Sequence, residues 1–477
     1  MHDTLSIAIL TYETIECFTQ DAASATNVPR VSPMDEDESV PTVSGIRVKV
    51  PADATSGGAI GKFRWVICTI LFLGISKNYM DRQVLGVLKT TLQHNLGWNE
   101  IDYSNLVFAF QAAYAGGMVV VGRFIDRVGT RIGYAASIVF WSLAAMAHAA
   151  CTSLLSFTFA RAALGLGESA AFPASIKTVT EWFPQKERAL ATGIFNAGSN
   201  VGAILTPLIV PWIVIHLGWR WAFLLSGAAG FLWFLLWITV YRAPEEHPRC
   251  SPRELAYIRS DNEPPNAKVP WATLLQYRQT WAFLIAKFLT DPVWWFYLFW
   301  LPGFLQKEHG LNLVQLGLPL VAIYVISDAG SIAGGWLSSR LIQSGFSVNA
   351  GRKTAMLVCA ICVMPIVSVY SGARLWPSVL LIGLAAAAHQ GFSANLFTTA
   401  SDMFPREAVA SVVGLGGMAG GIGGMLIAKV VGYVLQATGS YLIPFLISGS
   451  AYAVAVLAIQ LLAPRLDRIQ NLQRQSR

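Results

Sequence analysis

The stretch that decides the fold is FTFARAALGLGESAAFPASIKTVTEWFPQKER, residues 157–188. It is apolar enough to cross a membrane as a helix, but Arg161 and Glu168 interrupt the apolar run. These residues are seven apart, or two helical turns, so both side chains face the same side. Ionised side chains at membrane depth cost several kcal/mol and usually mark the path of a substrate or ion. We therefore place the functional site on this helix, with mutual neutralisation of the two charges as the alternative.

The end of this stretch marks a membrane surface. Trp182, Phe183 and Pro184 form an aromatic anchor, and the segment 186–188 (Lys-Glu-Arg) follows at once. Aromatic residues collect at membrane–water interfaces, whereas Lys and Arg collect at the cytoplasmic ends of membrane helices. The helix is therefore expected to run from the outside of the cell to the inside.

The composition is that of a membrane protein. Of 477 residues, 54% are hydrophobic and 13% are charged, against about a quarter charged in an average soluble protein. The net charge of +7 therefore predicts no nucleic-acid partner, because in a membrane protein positive charge sets orientation. The six cysteines are scattered, and Cys359-x-x-Cys362 has no second pair. No metal and no cofactor are predicted.

Apolar stretches of about 20 residues recur twelve times, six on each side of a polar loop. They lie at 65–88, 104–122, 132–150, 154–178, 189–214, 220–241, 279–305, 314–340, 353–371, 377–400, 408–435 and 441–463. The pattern predicts an all-α integral membrane protein with twelve transmembrane helices in two six-helix halves, 62–241 and 278–463. A disordered N-terminal tail at 1–61, a central loop at 242–277 and a C-terminal tail at 464–477 complete the predicted organisation.

Lys and Arg are divided unequally between the two sides of the predicted membrane. The side with both termini and the central loop carries most of them, whereas the opposite side carries Lys89, Lys307 and Arg374. The positive-inside rule places the richer side in the cytoplasm. We expect a multi-pass protein of the cell inner membrane with both termini cytoplasmic.

The two halves repeat one another. The segment 181–184 (Glu-Trp-Phe-Pro) is echoed by 402–405 (Asp-Met-Phe-Pro) at an offset of 221 residues, which also carries Gly193 onto Gly414. Duplicated halves of this kind are typical of transporters that rock one half against the other around a site at the membrane midplane.

A charged loop follows the second span. It reads G-x-x-x-D-R-x-G-x-R from Gly122 to Arg131, which resembles the signature loop of the major facilitator superfamily. The resemblance implies that the acid of the loop pairs across the inner gate, so Asp126, Arg127 and Arg131 are predicted gating residues. The alternative is that these charges only set the topology.

The first span carries charge near its middle, in Lys77-Asn78-Tyr79-Met80-Asp81-Arg82. Such charges are costly unless they face a wet cavity or partners. Asp81 and Arg82 are adjacent and point about 100° apart, so they cannot easily share one partner. Burial favours the neutral form of an acid, and an arginine can bind a planar carboxylate through two hydrogen bonds. The two residues suit the coupling of proton uptake to an organic anion.

Three motifs narrow the resemblance. N-Y-x-D-R at 78–82, R-x-x-L-G-x-x-E at 161–168 and W-F-P-x-x-E-R at 182–188 are similar to the anion:cation symporter family, and most like its bacterial hexuronate transporters. The resemblance covers roughly residues 62–465. It implies proton coupling at Asp81 and Glu168.

The same resemblance implies residues that contact the substrate. It suggests Arg82 and Arg161 as anion contacts and Tyr114 as a cavity-lining tyrosine. Further candidates for the substrate cavity are Tyr79, Asn196, Ser199, Asn200, Lys287, Trp295, His389 and Gln390. Hydrogen bonding between helices is the alternative role for the polar residues at 196–200 and for His389. For Lys287 it is an internal pair with Asp291, and for Trp295 a place in the interfacial aromatic belt.

These features predict a secondary active transporter that carries a small carboxylated sugar, such as a hexuronate, together with protons by alternating access. The expected partners are a small organic anion, protons and the lipid bilayer, and a monomer is expected. The alternatives are a carrier of an aldonate, aldarate or aromatic acid, and a membrane receptor that transports nothing. Protease, hydrolase and Walker motifs do not occur in a suitable context, so neither an enzyme nor an ATP-driven pump is predicted.

Overall fold

Helices make up nearly all of the chain that the structure describes. The computed structural model describes residues 61–260, 270–371 and 374–469, and these ranges contain no β-strand. The predicted tail at 1–61, apart from Gly61, lies outside them, as do residues 261–269 of the central loop and 470–477 of the C-terminal tail. The all-α prediction is confirmed.

Eight α-helices lead from Phe63 to Val240. They are α1 Phe63–Val87, α2 Lys89–Leu96, α3 Glu100–Val128, α4 Thr130–Ala147, α5 Leu154–Glu168, α6 Ala171–Trp182, α7 Gln185–Leu217 and α8 Trp219–Val240. The short α2 follows α1 directly, whereas α5 and α6 together cover the fourth predicted span.

Two short helices lie in the central segment and six longer ones follow. They are α9 Pro252–Ile258, α10 Trp271–Leu274, α11 Arg278–His309, α12 Gly317–Gln343, α13 Val348–Val363, α14 Leu375–Met403, α15 Arg406–Thr438 and α16 Leu442–Leu462. A 3₁₀ helix, Met364–Ser371, continues α13. In the described part of the chain, nine helical stretches are long and apolar enough to cross a membrane.

The fourth predicted span is not one continuous helix. α5 ends at Glu168 and α6 begins at Ala171, so the expected helix over 154–178 was wrong in this respect. Proline has no N–H to donate, and its ring crowds the carbonyl four residues earlier, which for Pro173 is that of Ser169. The interruption between α5 and α6, at residues 169 and 170, therefore includes the carbonyl that the Pro173 ring crowds. Glu168 is therefore the last residue of a helix.

Glycines let α5 approach its neighbours closely. A Cβ atom at Gly165 would overlap the backbone of α3 at Phe110, and one at Gly167 would crowd Trp141 of α4. Small residues at such positions allow membrane helices to pack backbone against backbone. The packing fixes the height of Arg161 and Glu168 relative to α3 and α4.

The halves are joined toward one face of the molecule. We call the face where α1 and α7 begin the terminal face and the other the opposite face. Near the opposite face, the Tyr103 hydroxyl donates to Phe299 O at 2.7 Å, and Glu100 N–H donates to Gln436 Oε1 at 3.1 Å. Thr90 of α2 also bonds to Gln306 of α11. These bonds hold the opposite face closed.

Candidate functional site

Lys77 and Asp81 pair with each other inside the first half. Lys77 Nζ donates to the Asp81 carboxylate and also to Ser142 Oγ at 3.1 Å. It lies 5.6 Å from the centroid of the Trp141 ring on α4. Both charged side chains are buried, so each offsets the desolvation of the other. Asp81, a predicted proton-coupling residue, is thus held by an acid–base pair on its own helix.

Arg82, the next residue, pairs with a different acid. Its Nε donates to Glu168 Oε2 at 2.6 Å, and the two side chains are 3% and 0% exposed. Adjacent residues point about 100° apart on a helix, which is why Asp81 and Arg82 reach different partners, as expected. The structure therefore pairs Glu168 with Arg82, and the hydrogen-bonded neutralisation of Arg161 by Glu168 is not found.

Four aromatic rings surround the Arg82 guanidinium. Its Cζ atom lies 4.8 Å from the ring centroid of Tyr79, 5.4 Å from Phe110, 4.6 Å from Tyr114 and 5.4 Å from Trp295. We call these four residues the aromatic cage. Ring faces attract a cation, and more strongly where water is excluded. Tyr79 and Tyr114 keep some exposed surface, so the cage borders accessible space.

Arg161 is a buried cation that lacks an acid bonded to it. None of its three guanidinium nitrogens has a hydrogen-bond partner among the described residues, and the side chain has no exposed surface. Its Cζ atom lies 4.6 Å from the centroid of Phe110 and 5.9 Å from that of Phe299. A charge buried in this way is strongly destabilising unless it is compensated. Arg161 is therefore a buried charge that no hydrogen-bonded acid among the described residues compensates.

A third acid–base pair lies on α11 in the second half. Lys287 Nζ is 2.8 Å from Asp291 Oδ2, and the Asp291 side chain is 18% exposed. The Lys287 ammonium also lies 4.3 Å from the centroid of the Phe397 ring. The internal pair expected from the four-residue spacing is thus present. Trp295, one turn further along α11, belongs to the aromatic cage and is buried, so it is not an interfacial residue.

His389 is held by neighbouring helices. Its Nδ1 atom lies 2.6 Å from the Tyr452 hydroxyl, and its ring stacks on Trp294 at 5.2 Å between centroids. These contacts are those expected of a structural histidine between helices. Gln390, beside it, is half-buried.

The polar residues of α7 have different surroundings. Asn200 Nδ2 donates to the carboxylate of Asp328 on α12 and so joins the halves. The Ser199 hydroxyl donates to Asn196 O at 2.7 Å within its own helix, and Asn196 itself is exposed. Bonding between helices, the alternative expected from sequence, is what the structure shows for Asn200.

The predicted gating residues lie on α3 and α4. Arg127 is exposed, and Arg131 Nη2 donates to Ile238 O at 2.6 Å, which ties α4 to α8. The Asp126 side chain lies outside the described part of the structure. Its pairing across the gate stays a prediction.

Two residues that shape the site were not predicted. Phe110 contacts the guanidinium groups of both Arg82 and Arg161, and Phe299 contacts the second of these. A signal was present in the spacing: Phe110 precedes Tyr114 by four residues, and Phe299 follows Trp295 by four. Residues four apart share a helix face, so each phenylalanine extends a face that carries a cage residue.

Comparison with known proteins agrees with this architecture. The chain is 32% identical to the hexuronate transporter of Escherichia coli (strain K12) over 383 residues, 79% of this chain and 88% of that protein. It is 31% identical to the D-galactonate transporter of Escherichia coli O6:H1, over 86% of this chain and 97% of that protein. The crystal structure of a D-xylose-proton symporter, only 15% identical, superposes with a TM-score of 0.68 over 85% of this chain and 99% of that one.

A family model for the Major Facilitator Superfamily matches residues 71–428. This range includes the Lys77–Asp81 and Arg82–Glu168 pairs, the aromatic cage and the Lys287–Asp291 pair. The chain therefore belongs to the major facilitator superfamily, as a multi-pass membrane transporter rather than an enzyme.

Proposed function

We propose that the protein carries a small carboxylated sugar, such as a hexuronate, together with protons by alternating access of one central site. The observation that carries this proposal is Arg161, a buried guanidinium without a hydrogen-bonded acid beside the caged Arg82. An unpaired arginine at membrane depth attracts a carboxylate and can bind it through two hydrogen bonds. The names of the two relatives, a hexuronate and a D-galactonate transporter, support the same class of substrate.

The aromatic cage suits the remainder of a sugar acid. Tyr79 and Tyr114 border the accessible space with ring faces and hydroxyls, and Trp295 adds a ring face and an indole N–H to the cage. Aromatic rings with a polar edge combine apolar contact with hydrogen bonding, which matches the apolar face and the hydroxyls of a sugar. In this proposal these residues and Arg82 contact the substrate, whereas Asn200 and His389 hold helices together.

Proton coupling follows from the partners of Glu168. When Glu168 is ionised, it binds Arg82; when it takes a proton, Arg82 is released for a substrate carboxylate. Asp81 is the second proton-coupling group in this proposal, and Lys77 is the cation that competes with the proton for the Asp81 carboxylate. Proton and anion thus bind together because each removes an obstacle to the other.

The conformation fits one state of the transport cycle. The opposite face is closed by bonds between the halves, so the site would be reached from the terminal face. With the termini placed in the cytoplasm, we infer a state closed toward the outside of the cell, from which substrate would be released inward.

The decisive test compares a hexuronate with its neutral parent hexose by calorimetry on the purified protein. A charge-assisted hydrogen bond contributes roughly 1.5–3 kcal/mol, so Arg161→Ala should weaken hexuronate binding by about one to two orders of magnitude. Arg161→Lys should restore binding only in part, because lysine lacks the bidentate fork. The matched control is Arg220→Ala, which removes an exposed arginine that contacts Trp219 and should leave binding unchanged.

Uptake into proteoliposomes separates a carrier from a receptor. An inward proton gradient should drive hexuronate above its external concentration. If the neutral hexose binds the wild type as well as the acid does, the protein does not select an anion and the proposal is wrong. Binding without any accumulation under a proton gradient would instead favour a receptor.

A further inference from the structure

The same pair of residues occurs in the first long helix of each half. Lys77 and Asp81 on α1 and Lys287 and Asp291 on α11 are both Lys-x-x-x-Asp, related by an offset of 210 residues. Both form ion pairs along their own helix. The duplication of the halves therefore includes this charge pair.

The two pairs differ in what surrounds them. In the first half the Asp81 side chain has no exposed surface, and Lys77 has a second acceptor, Ser142 Oγ at 3.1 Å. In the second half the Asp291 side chain is 18% exposed, and the further contact described for Lys287 is a ring face, that of Phe397. The Asp291 carboxylate is therefore more accessible than that of Asp81, and Lys287 has fewer described polar partners than Lys77.

Glycines of α15 make room for the second pair. A Cβ atom at Gly420 would overlap the Asp291 carboxylate, and one at Gly416 would crowd the Lys287 stem and Phe283. One turn further along, a Cβ atom at Gly424 would crowd Trp295 of the aromatic cage. The glycine face of α15 thus runs alongside both the ion pair and the cage.

The pair lies on the face of α11 that leads into the site. Asp291, Trp295 and Phe299 follow one another at intervals of four residues along α11. Eight residues of helix rise by about 12 Å, which separates the level of Asp291 from that of Phe299 and Arg161. The Lys287 ammonium lies beside the Asp291 carboxylate, so the far end of a six-carbon acid held at Arg161 would approach the level of this pair.

Among the described side chains along this line, one cation lacks a hydrogen-bonded acid. Arg82 is paired with Glu168 and Lys287 with Asp291, whereas Arg161 has no hydrogen-bonded acid among the described residues. A second carboxylate at the Lys287 end would face the Asp291 carboxylate, and like charges at this depth repel strongly. Lys287 would neutralise it only if Asp291 moved away.

We propose that Asp291 is a specificity-determining residue: by occupying Lys287 it restricts the carrier to acids with a single carboxylate and rejects six-carbon diacids. This inference rests on the proposed function and deepens it, because it separates hexuronates and aldonates from aldarates. Removal of the Asp291 charge frees Lys287 as a second anion contact and admits the diacid.

The first test uses the wild-type protein and needs no variant. Glucuronate, glucarate and glucose are titrated at one pH into the purified full chain by calorimetry. Glucuronate should bind roughly tenfold or more tightly than glucarate, the loss expected when one charged contact is replaced by repulsion. Glucarate binding as tight as glucuronate binding would overturn the role of Asp291 while leaving an organic-acid carrier in place. Glucose binding as tight as glucuronate binding, or tighter, would overturn the proposed function itself.

The second test reverses the selectivity. Asp291→Asn should raise glucarate affinity relative to glucuronate by roughly tenfold or more, the effect of one charge-assisted contact. The double variant Lys287→Gln/Asp291→Asn has the net charge of the wild type and should show no gain for glucarate. Asp402→Asn makes the same change at the Arg352–Asp402 pair outside the site and should leave the ratio of the two affinities unchanged.

Each outcome either supports the proposed role of Asp291 or overturns it. An unchanged ratio in folded Asp291→Asn protein, or an equal gain in the double variant, would overturn the inference, because the gain must come from the freed Lys287. Thermal melting and size-exclusion chromatography establish folding. If Asp291→Asn fails to fold, the wild-type comparison of the two acids alone decides.

Discussion

Glu168 holds Arg82 through one oxygen, while its second oxygen, Oε1, is buried with no hydrogen-bond partner among the described residues. A proton on Oε1 would find no competing donor there, and it would weaken the bond to Arg82 by removing the charge. Burial disfavours an ionised carboxylate unless a cation compensates it. The balance between these two states is set by Arg82 and by the nearby Arg161.

The first prediction at this scale concerns Glu168→Gln. The amide imitates the protonated acid, so Arg82 should be permanently free to bind substrate while no proton can be released. Counterflow exchange of hexuronate, which needs no proton gradient, should persist in proteoliposomes, whereas gradient-driven accumulation should disappear. If exchange and accumulation fall equally in folded protein, Glu168 belongs to the substrate site and not to the coupling.

The second prediction separates the contribution of Asp81 to stability from its proposed role in proton coupling. Asp81→Asn leaves Lys77 buried and unpaired, which should destabilise the protein by about 3–5 kcal/mol and abolish accumulation. Lys77→Met/Asp81→Asn removes both charges and should restore much of the melting temperature without restoring accumulation. Recovery of proton-driven uptake in the double variant would remove Asp81 from the coupling mechanism.

At the scale of the helices, the site depends on how closely α5 approaches α3. A Cβ atom at Gly165 would overlap Phe110 O and crowd Tyr114 N, whereas one at Gly193 on α7 would meet nothing within 4 Å. The break after Glu168 adds a second constraint, because it places Glu168 at the end of a helix. Arg161 and Glu168 therefore keep their positions only while this packing is intact.

The third prediction compares two glycine substitutions. Gly165→Ala should push α5 away from α3 and lower stability by about 1–3 kcal/mol, as overpacking does in well-packed interiors. The displacement should also weaken hexuronate binding, because Phe110 and Tyr114 belong to the aromatic cage. Gly193→Ala is the matched control and should leave the melting temperature and binding unchanged or slightly improved. Equal melting temperatures for the two variants would contradict the close approach.

At the scale of the whole molecule, the hydrogen bonds between the halves near the opposite face determine which face of the protein is closed. The hydrogen bond between Thr90 and Gln306 joins α2 to α11. The Tyr103 hydroxyl donates to the backbone oxygen of Phe299, the residue whose ring contacts Arg161. A change at the site is therefore adjacent to the contacts that must break when the opposite face opens. These direct contacts are sufficient to couple the candidate site to the opposite face.

The fourth prediction tests that closure. Cysteines at Thr90 and Gln306, in a background without the native cysteines, should react together with a short bifunctional thiol reagent. Cross-linked protein should lose transport but keep hexuronate binding, because the terminal face remains accessible. Cysteines at Arg352 and Asp402, which pair within one half, are the control and should leave the opposite face free to open. Transport at the normal rate by fully cross-linked protein would show that this face need not open.

The sequence by itself determined the helical membrane architecture, and it pointed to several of the buried charged side chains that the structure pairs. Backbone groups in a bilayer must be bonded within the segment, so long apolar stretches predict helices without knowledge of their neighbours. The pair of Lys287 with Asp291 was foreseeable for a similar reason, since residues four apart meet on one helix. The break after Glu168 was not predicted: a continuous helix was expected over 154–178, although a proline at 173 disfavours one.

Only the tertiary structure decided which charges meet across helices. Glu168 bonds to Arg82, 86 residues away in the chain, and not to Arg161 on its own helix. Phe110 and Phe299 became part of the site because α3 and α11 turn those faces toward the two arginines. Spacing along a helix fixes which side chains share a face. The neighbour that each face meets depends on the packing of all the other helices, which local sequence does not encode.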